Sequence, residues 1–428
     1  MELMEHDMRP LIAVAMLSVC AAVHAAEAEW GRFRGPDGLG ISAAATIPVK
    51  WTENDYNWKV ALPGMGHSSP VVCGNHLYVT SADAETARRT LLCIDTADGR
   101  TLWKREDESH PYKQHTDNGF ATATPAADAD GVVITWTTPE EVALLALAPD
   151  GREVWRRNLG PFISVHGSGT SPIIFERLVV LANEQEDPTL RRLGPKPGKS
   201  FLIAVDRKTG ETRWQVERRT ALAPYSTPCV YRPEGGPPEL VFSSMAHGIT
   251  GVDARTGKVN WEIDGIFKDR CTGSPVAADG LAFASYGYGS KGTRFVAARP
   301  GREKGVETTI AYDVTRNVPL VPTPIVKDGR LFLWCDDGTV TCLKASTGEL
   351  VWREKAGAQF YGSPVWVDGR LYAIAKNGDV VVIAAADKFE VLARVSLGEA
   401  SFSTPAVSGG VMYLRTQSHL FSLGGKKP

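Results

Sequence analysis

The sequence predicts an all-β fold, an eight-bladed β-propeller of four-stranded antiparallel blades, closed by an N-terminal strand that completes the C-terminal blade. Three observations predict this fold. A Ser/Thr-Pro pair recurs eight times, a glycine followed four residues later by tryptophan recurs five times, and the two ends of the repeat region are incomplete in complementary ways. Self-similarity at this scale is typical of propeller blades.

The Ser/Thr-Pro pairs mark the start of the innermost strand of each blade. Proline fits the first position of a strand, because its missing N–H costs little there. An apolar pair follows each proline, and successive prolines lie 40 to 56 residues apart. The eight pairs are Ser69-Pro70, Thr124-Pro125, Ser171-Pro172, Thr227-Pro228, Ser274-Pro275, Thr323-Pro324, Ser363-Pro364 and Thr404-Pro405.

The Gly-to-Trp step predicts a tight turn followed by the outermost strand. Glycine supplies the positive φ of the turn, and the tryptophan docks between two blades, where it buries roughly 200 Å². In the fifth blade we expect Tyr312 to take the docking place, and in the seventh Leu392. The predicted docking tryptophans are Trp58, Trp103, Trp155, Trp214, Trp261 and Trp352.

Each unit contains four alternating apolar stretches separated by turn residues. In the sixth unit, "RLFLWC", "TVTCLKA" and "ELVWREK" follow the first strand, with "KDG", "DDG" and "STG" as turns. A two-residue turn in "DDG" would place Cys335 opposite Val340 and leave Cys342 diagonal to Cys335, poorly placed for a disulfide. The repeat aspartates Asp95, Asp206 and Asp253 are assigned to turn structure rather than catalysis.

Closure is predicted from the two ends of the repeat region. After Thr404-Pro405 the chain has "AVSGGVMYLRT" and "HLFSL", which is one strand short of a blade and lacks the tryptophan strand, whereas "NDYNWKVALPG" (54–64) carries Trp58 before the first Ser-Pro pair. This segment can pair with the last blade and seal the ring, which removes two exposed sheet edges. A ring of seven blades, with one Ser/Thr-Pro pair misread, is the alternative.

The first residues predict export. Arg9 precedes an apolar run and then small residues in "VHAAEAEW", which is typical of a signal peptide over residues 1–25, followed by a single propeller domain over 30–425. The run is too short to span a bilayer, so we expect no transmembrane span and a periplasmic or secreted protein. A lipid anchor at Cys20 is the less favoured alternative.

The composition excludes some classes of partner. A formal net charge of -2 argues against nucleic acid. The six cysteines after residue 25 match no zinc pattern, and one or two disulfides are possible in an oxidising compartment. We expect no metal site and a monomer.

The residues just before the Ser/Thr-Pro pairs predict a ligand site at the mouth of the central channel. The loops between second and third strands emerge on the same face and include long inserts in blades one, three and five. Histidines and aromatics at a channel mouth could hold a ligand or a peptide. Alternatively, they plug the channel and satisfy one another's hydrogen bonds. The candidates are His67, His115 with Asn118, His166, Tyr225, Arg270, Tyr361 and Phe402.

Carboxylates on the blade-three insert allow a carbohydrate hydrolase or lyase as a third hypothesis. Glu184, Glu186 and Asp187 lie within four residues of one another. Two carboxylates facing each other across the channel would support that chemistry. The usual meaning of such a run is solvated loop charge, which is our expectation here.

The repeat resembles the PQQ-type repeat, Ala-x-Asp-x-x-Thr-Gly-Lys-x-x-Trp, which "AVDRKTGETRW" and "GVDARTGKVNW" match closely. Relatives include quinoprotein alcohol dehydrogenases and the outer-membrane assembly factor BamB, both eight-bladed propellers. The opening "WGRFRGPDGLGIS" is similar to a subgroup of exported bacterial PQQ-like proteins.

The resemblance implies two functions. The first is a non-enzymatic, BamB-like binding or scaffold protein with a protein partner in the periplasm or envelope, or with a small ligand in the channel. The second is a PQQ-dependent dehydrogenase of alcohols or sugars, with PQQ and calcium in the channel. The adjacent cysteine pair of that family is absent from this sequence. We therefore expect no cofactor and prefer the first function.

Overall fold

The computed structural model describes residues 29–191, 198–289, 291–303 and 305–425. The predicted signal peptide, 1–25, and Cys20 lie outside these residues. Eight four-stranded sheets form a closed ring, as the repeats predict, and one of them carries an additional short strand. In seven of the eight sheets the strand after the Ser/Thr-Pro pair is an edge strand; in blade seven it also pairs with Ile41–Ser42. First strands of several neighbouring blades contact one another around the axis.

The four strands of each blade pair antiparallel, and in the first seven blades they follow chain order from the axis outward. The strands of the first four blades are Val71–Cys73, His76–Ala82, Arg89–Asp95 and Thr101–Asp107; Ala126–Asp128, Gly131–Thr137, Val142–Leu147 and Glu153–Asn158; Ile173–Phe175, Leu178–Asn183, Phe201–Asp206 and Thr212–Glu217; and Cys229–Tyr231, Glu239–Ser244, Gly248–Asp253 and Val259–Ile263.

The remaining blades repeat this order, and the eighth ends on the N-terminal strand. Their strands are Val276–Ala278, Leu281–Tyr288, Lys291–Arg299 and Thr309–Val314; Ile325–Lys327, Arg330–Trp334, Thr339–Lys344 and Leu350–Lys355; Val365–Val367, Arg370–Ile374, Asp379–Ala384 and Val391–Ser396; and Ala406–Ser408, Val411–Arg415, His419–Gly424 and Tyr56–Ala61.

A few short elements lie outside this pattern. Ile41–Ser42 pairs in parallel with Val365–Val367 and adds a fifth strand to blade seven. Two 3-10 helices, Pro36–Gly38 and Glu53–Asp55, precede the first blade, and one short helix, Pro188–Arg191, lies in the blade-three insert. No helix among the described residues is long and apolar enough to cross a membrane.

The ring is closed where the sequence predicts. The strand Tyr56–Ala61 runs antiparallel to His419–Gly424, with Trp58 opposite Ser422. The indole N–H of Trp58 donates to the carbonyl of Thr96 in blade one at 2.9 Å. The closing strand therefore joins the last blade to the first.

Each of four docking tryptophans lies on the turn glycine of the following blade. A Cβ added to Gly210 would lie 2.8 Å from the ring of Trp155, so only glycine leaves room for the indole. The indole N–H of Trp155 donates to the carbonyl of Arg207 in the same turn at 3.0 Å. Tyr312 does the same in blade five, with its hydroxyl on the carbonyl of Ala345 at 2.7 Å. The pairs are Trp58 and Gly99, Trp103 and Gly151, Trp155 and Gly210, Trp214 and Gly257, and Tyr312 and Gly348.

The other two docking positions differ because the following blade lacks this glycine. The indole N–H of Trp261 donates to the carboxylate of Glu239 at 2.9 Å, and the guanidinium of Arg302 lies over the Trp261 ring. Trp352 contacts Phe389 of blade seven, with ring centroids 5.2 Å apart. Leu392 is partly buried against the core between blades seven and eight.

The repeat aspartates cap the turns, as predicted. The Asp206 carboxylate accepts the backbone N–H groups of Lys208 and Thr209, and Asp253 accepts those of Arg255 and Thr256. These bonds are made at the start of the turn that holds the docking glycine.

The predicted geometry around Cys335 is wrong in one detail. The turn has three residues between Cys335 and Thr339, with Gly338 at φ 79°, so the backbone N–H of Cys335 donates to Thr339 rather than pairing with Val340. Among the described residues, all six cysteines are buried and none is in a disulfide.

Candidate functional site

One end of the central channel opens into a cavity of about 540 Å³. Its walls come from the segments that precede the Ser/Thr-Pro pairs and from the tip of the blade-five hairpin, on the face predicted from the strand order. The structure brings together all seven predicted residues: His67, His115, His166, Tyr225, Arg270, Tyr361 and Phe402, with Asn118 beside them. The mouth is an open cavity rather than a packed plug.

One wall is aromatic. The ring of Phe402 lies 4.6 Å from that of His67 and 5.5 Å from that of Tyr361, measured between centroids. The hydroxyl of Tyr361 donates to the carboxylate of Asp117 at 2.8 Å, and the ammonium of Lys376 lies over the Tyr361 ring at 4.2 Å. These contacts join the loop after blade one to the opposite side of the ring and fix the aromatic faces.

The second group consists of His115 and His166, whose rings lie edge to face with centroids 5.0 Å apart. The backbone N–H of Asp117 donates to Nδ1 of His115, so a neutral His115 carries its proton on Nε2. The amide of Asn118 donates to the carbonyl of His166 at 2.7 Å. Asn118 thus holds the two segments together.

The third group is a buried ion pair. Arg270 donates to the carboxylate of Glu186, and both side chains are largely removed from solvent, with 8% and 0% exposed. The other oxygen of Glu186 accepts the backbone N–H of Val165 at 2.9 Å. Tyr225 hydrogen-bonds to the hydroxyl of Ser164 at 2.9 Å, and burial raises the pKa of Tyr225 to about 12.

The expectation that the blade-three carboxylates are solvated is wrong for two of them. Glu184 is buried and pairs with the guanidinium of Arg218 at 2.7 Å, and Glu186 is buried against Arg270. Only Asp187 stays at the surface, where it caps the backbone of Thr189. The first two carboxylates are buried because each has a guanidinium partner, which compensates the cost of removing charge from water.

The base of the cavity is formed by the eight hydroxyl residues of the Ser/Thr-Pro pairs, which we call the hydroxyl belt. In seven places the backbone N–H of one member donates to the hydroxyl of the next blade's member, at 2.9 to 3.2 Å. The links run from Ser69 to Thr124, Thr124 to Ser171, Thr227 to Ser274, Ser274 to Thr323, Thr323 to Ser363, Ser363 to Thr404, and Thr404 to Ser69. The first strands of neighbouring blades belong to separate sheets, and these side-chain hydrogen bonds join the blades at the axis.

Residues 29–42, which we call the crossing segment, extend across the far end of the channel. Its backbone pairs with Val72 of blade one at Trp30, with Ala127 of blade two at Gly31, and with blade seven at Ile41–Ser42. The side chain of Phe33 reaches the cavity from below. The cavity thus has an open mouth on one face and the crossing segment beneath its base.

Two buried arginines belong to the crossing segment. The guanidinium of Arg34 donates to the carbonyls of Pro324 at 2.7 Å and Pro364 at 2.9 Å, in the first strands of blades six and seven. Arg32 donates to the carbonyl of Pro228 in blade four. Burial lowers the pKa of Arg34 to about 9 and that of Arg32 to about 10, so both remain cations at neutral pH.

His67 lies at the cavity beside a buried guanidinium, that of Arg415. Burial, and after it the charge of Arg415, lowers the pKa of His67 from its ordinary value of 6.5 to about 4. The guanidinium of Arg415 is fully buried and donates to the carbonyl of Ser68 at 2.8 Å. His67 therefore presents a neutral imidazole to the cavity.

This depressed pKa predicts a contribution to acid sensitivity. Below about pH 6.5 the unfolded chain protonates this histidine while the folded protein does not, so the free energy of unfolding falls as the pH drops towards 4. We expect His67→Gln to lose less stability than the unchanged protein between about pH 7.5 and about pH 4.5 in urea titrations. His110→Gln, at a side chain 57% exposed, is the control. Parallel losses in all three proteins would contradict this assignment.

The sequence predicted the lining but missed three features of the site. The hydroxyls of the belt, the Glu186 partner of Arg270 and the link from Asp117 to Tyr361 all join residues of different blades. Tyr288, in the blade-five insert, also lines the mouth and is 66% exposed. The described residues contain no group of three or more His, Cys, Asp or Glu that could hold a metal ion.

Known proteins share this architecture. The structure of BamB from Moraxella catarrhalis superposes with a TM-score of 0.59 at 15% identity, covering 85% of this chain and 95% of that one. The quinohemoprotein alcohol dehydrogenase from Comamonas testosteroni superposes with a TM-score of 0.62 at 12% identity, covering 94% and 81%. At these identities the likeness shows the fold alone.

Sequence comparison shows the family. The curated BamB of Moranella endobia (strain PCIT) is 23% identical over 190 residues, 42% of this chain, and the match spans about half of that relative, 46%. A family model described as "Outer membrane protein assembly factor BamB" matches residues 49–162, 117–319 and 313–423, which together cover most of the chain. The chain therefore belongs to this BamB family of PQQ-like repeat propellers.

Proposed function

We propose that the protein is an exported, non-enzymatic binding protein of the cell envelope, which holds a protein partner at the mouth of the channel. The observation that carries this proposal is the cavity at the mouth of the channel, which is bordered by the segments before the Ser/Thr-Pro pairs and by the blade-five hairpin. The family description, an outer membrane protein assembly factor, supports a partner in the envelope.

The rim of the mouth supports a protein partner. Tyr288 is 66% exposed at the tip of the blade-five hairpin, and Met65, on the same face shortly before His67, is 41% exposed. Tyrosine and methionine are enriched in protein interfaces, where each can bury a large contact area. The two residues offer exposed anchors for a partner.

The carboxylates that line the cavity are poorly suited to general-base catalysis, which favours binding. The lining carboxylate of Asp117 accepts from Tyr361 and faces Lys376, and that of Asp269 accepts the backbone N–H of Arg270. A general base needs a carboxylate or imidazole that can take a proton near neutral pH. The Asp117 pKa is lowered despite its partial burial, because Tyr361 and Lys376 stabilise the carboxylate.

A PQQ-dependent dehydrogenase is the competing function, which the fold and one structural neighbour suggest. The cavity volume is sufficient for a small organic ligand. The donor set fits poorly, since calcium prefers several carboxylate or carbonyl oxygens and the described residues contain no cluster of three or more His, Cys, Asp or Glu. The described cysteines also include no adjacent pair.

The proposal predicts that a partner contacts the mouth and not the opposite face. With a photoreactive phenylalanine analogue in place of Tyr288, we expect one discrete envelope-protein adduct in intact cells, identified by mass spectrometry. The same analogue at Arg232, exposed beside Asp37 of the crossing segment, is the matched control. The proposal fails if the adducts are the same at both positions, or if PQQ and calcium bind saturably with turnover of an alcohol or sugar.

A further inference from the structure

Arg270 is the only lysine or arginine among the described residues that line the cavity. It lies in the segment before blade five, across the ring from Phe402 in the segment before blade eight. Its side chain lines the cavity and is 8% exposed, so little of its charge is screened by bulk water. A charge-assisted hydrogen bond in such a site is stronger than one at the protein surface.

Glu186 fixes the position of this guanidinium. It pairs with the Nη2 end of Arg270, whereas Nε has no partner among the described residues. Because Glu186 is also held by the backbone N–H of Val165, Arg270 is oriented by a rigid support rather than by solvent. Such a guanidinium matches the planar geometry of a carboxylate.

Three buried guanidiniums lie near the cavity, whose lining also holds the carboxylates of Asp117, which is paired with Lys376, and Asp269. Arg34 lies 3.4 Å from the carbonyl of Thr323, a belt residue, and Arg32 lies in the same crossing segment. Arg415 is buried beside His67. The hydrogen bonds described for Arg32, Arg34 and Arg415 go to carbonyl or hydroxyl oxygens rather than to carboxylates. Buried guanidiniums without a carboxylate partner favour an anion in the adjacent cavity.

The belt supplies hydroxyl groups in a ring at the base of the same cavity. Seven of these hydroxyls accept a backbone N–H, and among the described residues none of the eight donates its own proton to a protein acceptor. A hydroxyl can donate and accept at the same time. The belt therefore suits a ligand with many hydroxyl or carboxylate oxygens.

The aromatic wall supplies a stacking face opposite Arg270. Phe402 is half-buried between His67 and Tyr361 and lines the cavity. The apolar face of a sugar ring packs on such a side chain, while its hydroxyls remain free to hydrogen-bond. The three features together describe a ligand with a carboxylate, several hydroxyls and an apolar face.

We propose that the cavity binds a sugar acid, with its carboxylate on Arg270, its hydroxyls on the belt and its ring on Phe402. The inference goes beyond the proposed scaffold function and does not depend on it, because the site lies inside the cavity and the partner would contact the rim.

Isothermal titration calorimetry of the purified chain with D-glucuronate and D-galacturonate, against D-glucose and D-galactose, tests the proposal. We expect at least one acid to bind roughly tenfold or more tightly than its neutral counterpart, the difference typical of one charge-assisted hydrogen bond. Binding of neither acid, or equal binding of acid and neutral sugar, overturns the proposal.

Variants assign the preference to residues. The double variant Arg270→Gln with Glu186→Gln, which leaves no unpaired buried charge, is expected to abolish the preference for the acid. Phe402→Leu should weaken the binding of the acid and of the neutral sugar by the same factor, so that the preference for the acid is kept. Arg232→Gln, an arginine 57% exposed on the other face, should change neither affinity. Preference retained in the double variant, with thermal melting showing that it is folded, overturns the role of Arg270.

Discussion

A chain that begins at Leu62 is expected to lose cooperative unfolding and to self-associate. It lacks the strand Tyr56–Ala61, so His419–Gly424 becomes an exposed sheet edge. It also lacks Trp58, which is 8% exposed between blades eight and one. Loss of one such indole costs about 3 to 5 kcal/mol, a large fraction of the ~5 to 15 kcal/mol that stabilises a typical domain. Urea titration followed by fluorescence, together with size-exclusion chromatography, measures both effects.

A second truncation separates the closing strand from the crossing segment. A chain that begins at Trp51 lacks residues 29–50 but keeps Tyr56–Ala61 and its pairing with His419–Gly424. We expect this chain to unfold cooperatively, at a lower urea concentration than the full protein. If the two truncated chains unfold at the same midpoint and associate equally, the closing strand is not what holds the ring.

The substitution Trp155→Ala is expected to lower the free energy of unfolding by about 3 to 5 kcal/mol. Trp155 is 8% exposed and fills the space between blades two and three, with its ring on Gly210 and its N–H on the carbonyl of Arg207. Alanine removes the buried area and leaves that carbonyl unpaired. Urea titration at constant pH gives the difference directly.

Trp103→Ala is the matched control for this substitution. Trp103 occupies the equivalent position one blade earlier, on Gly151, with its N–H on the carbonyl of Pro149 at 2.7 Å. It is only partly buried, so we expect a smaller loss of stability than at Trp155. Equal losses at both positions would mean that burial between blades does not set the contribution of these tryptophans.

The fold could be predicted from the sequence because each blade repeats its own local pattern. The Ser/Thr-Pro pair, the aspartate of the turn and the Gly-to-Trp step are read within a few residues, and each determines one strand or turn. The path of the closing strand followed from an incomplete last unit. The two-residue turn at Cys335 was wrong because a third loop residue, Asp336, turns its carboxylate onto the backbone N–H groups of Leu320 and Val321.

The chemistry of the site was less predictable because its partners lie in other blades. The lining residues were found from strand order alone, but the burial of Glu186 depends on Arg270, 84 positions later. Similarly, seven of the Ser/Thr-Pro hydroxyls accept a backbone N–H from the preceding blade. For Thr124 and Ser363 the donor residue lies 55 and 40 positions away. No local pattern reports such a contact.

The crossing segment also bears on the order in which the molecule assembles. The segment hydrogen-bonds to Val72, Ala127, Pro228 and Pro364. The bond from Arg34 to Pro364 joins residues 330 positions apart in the sequence. These hydrogen-bond partners belong to four different blades, so they are correctly placed for the segment only when those blades already surround the axis. We therefore expect the first described residues of the chain to dock last, so that protection of their amides from hydrogen exchange reports a finished molecule.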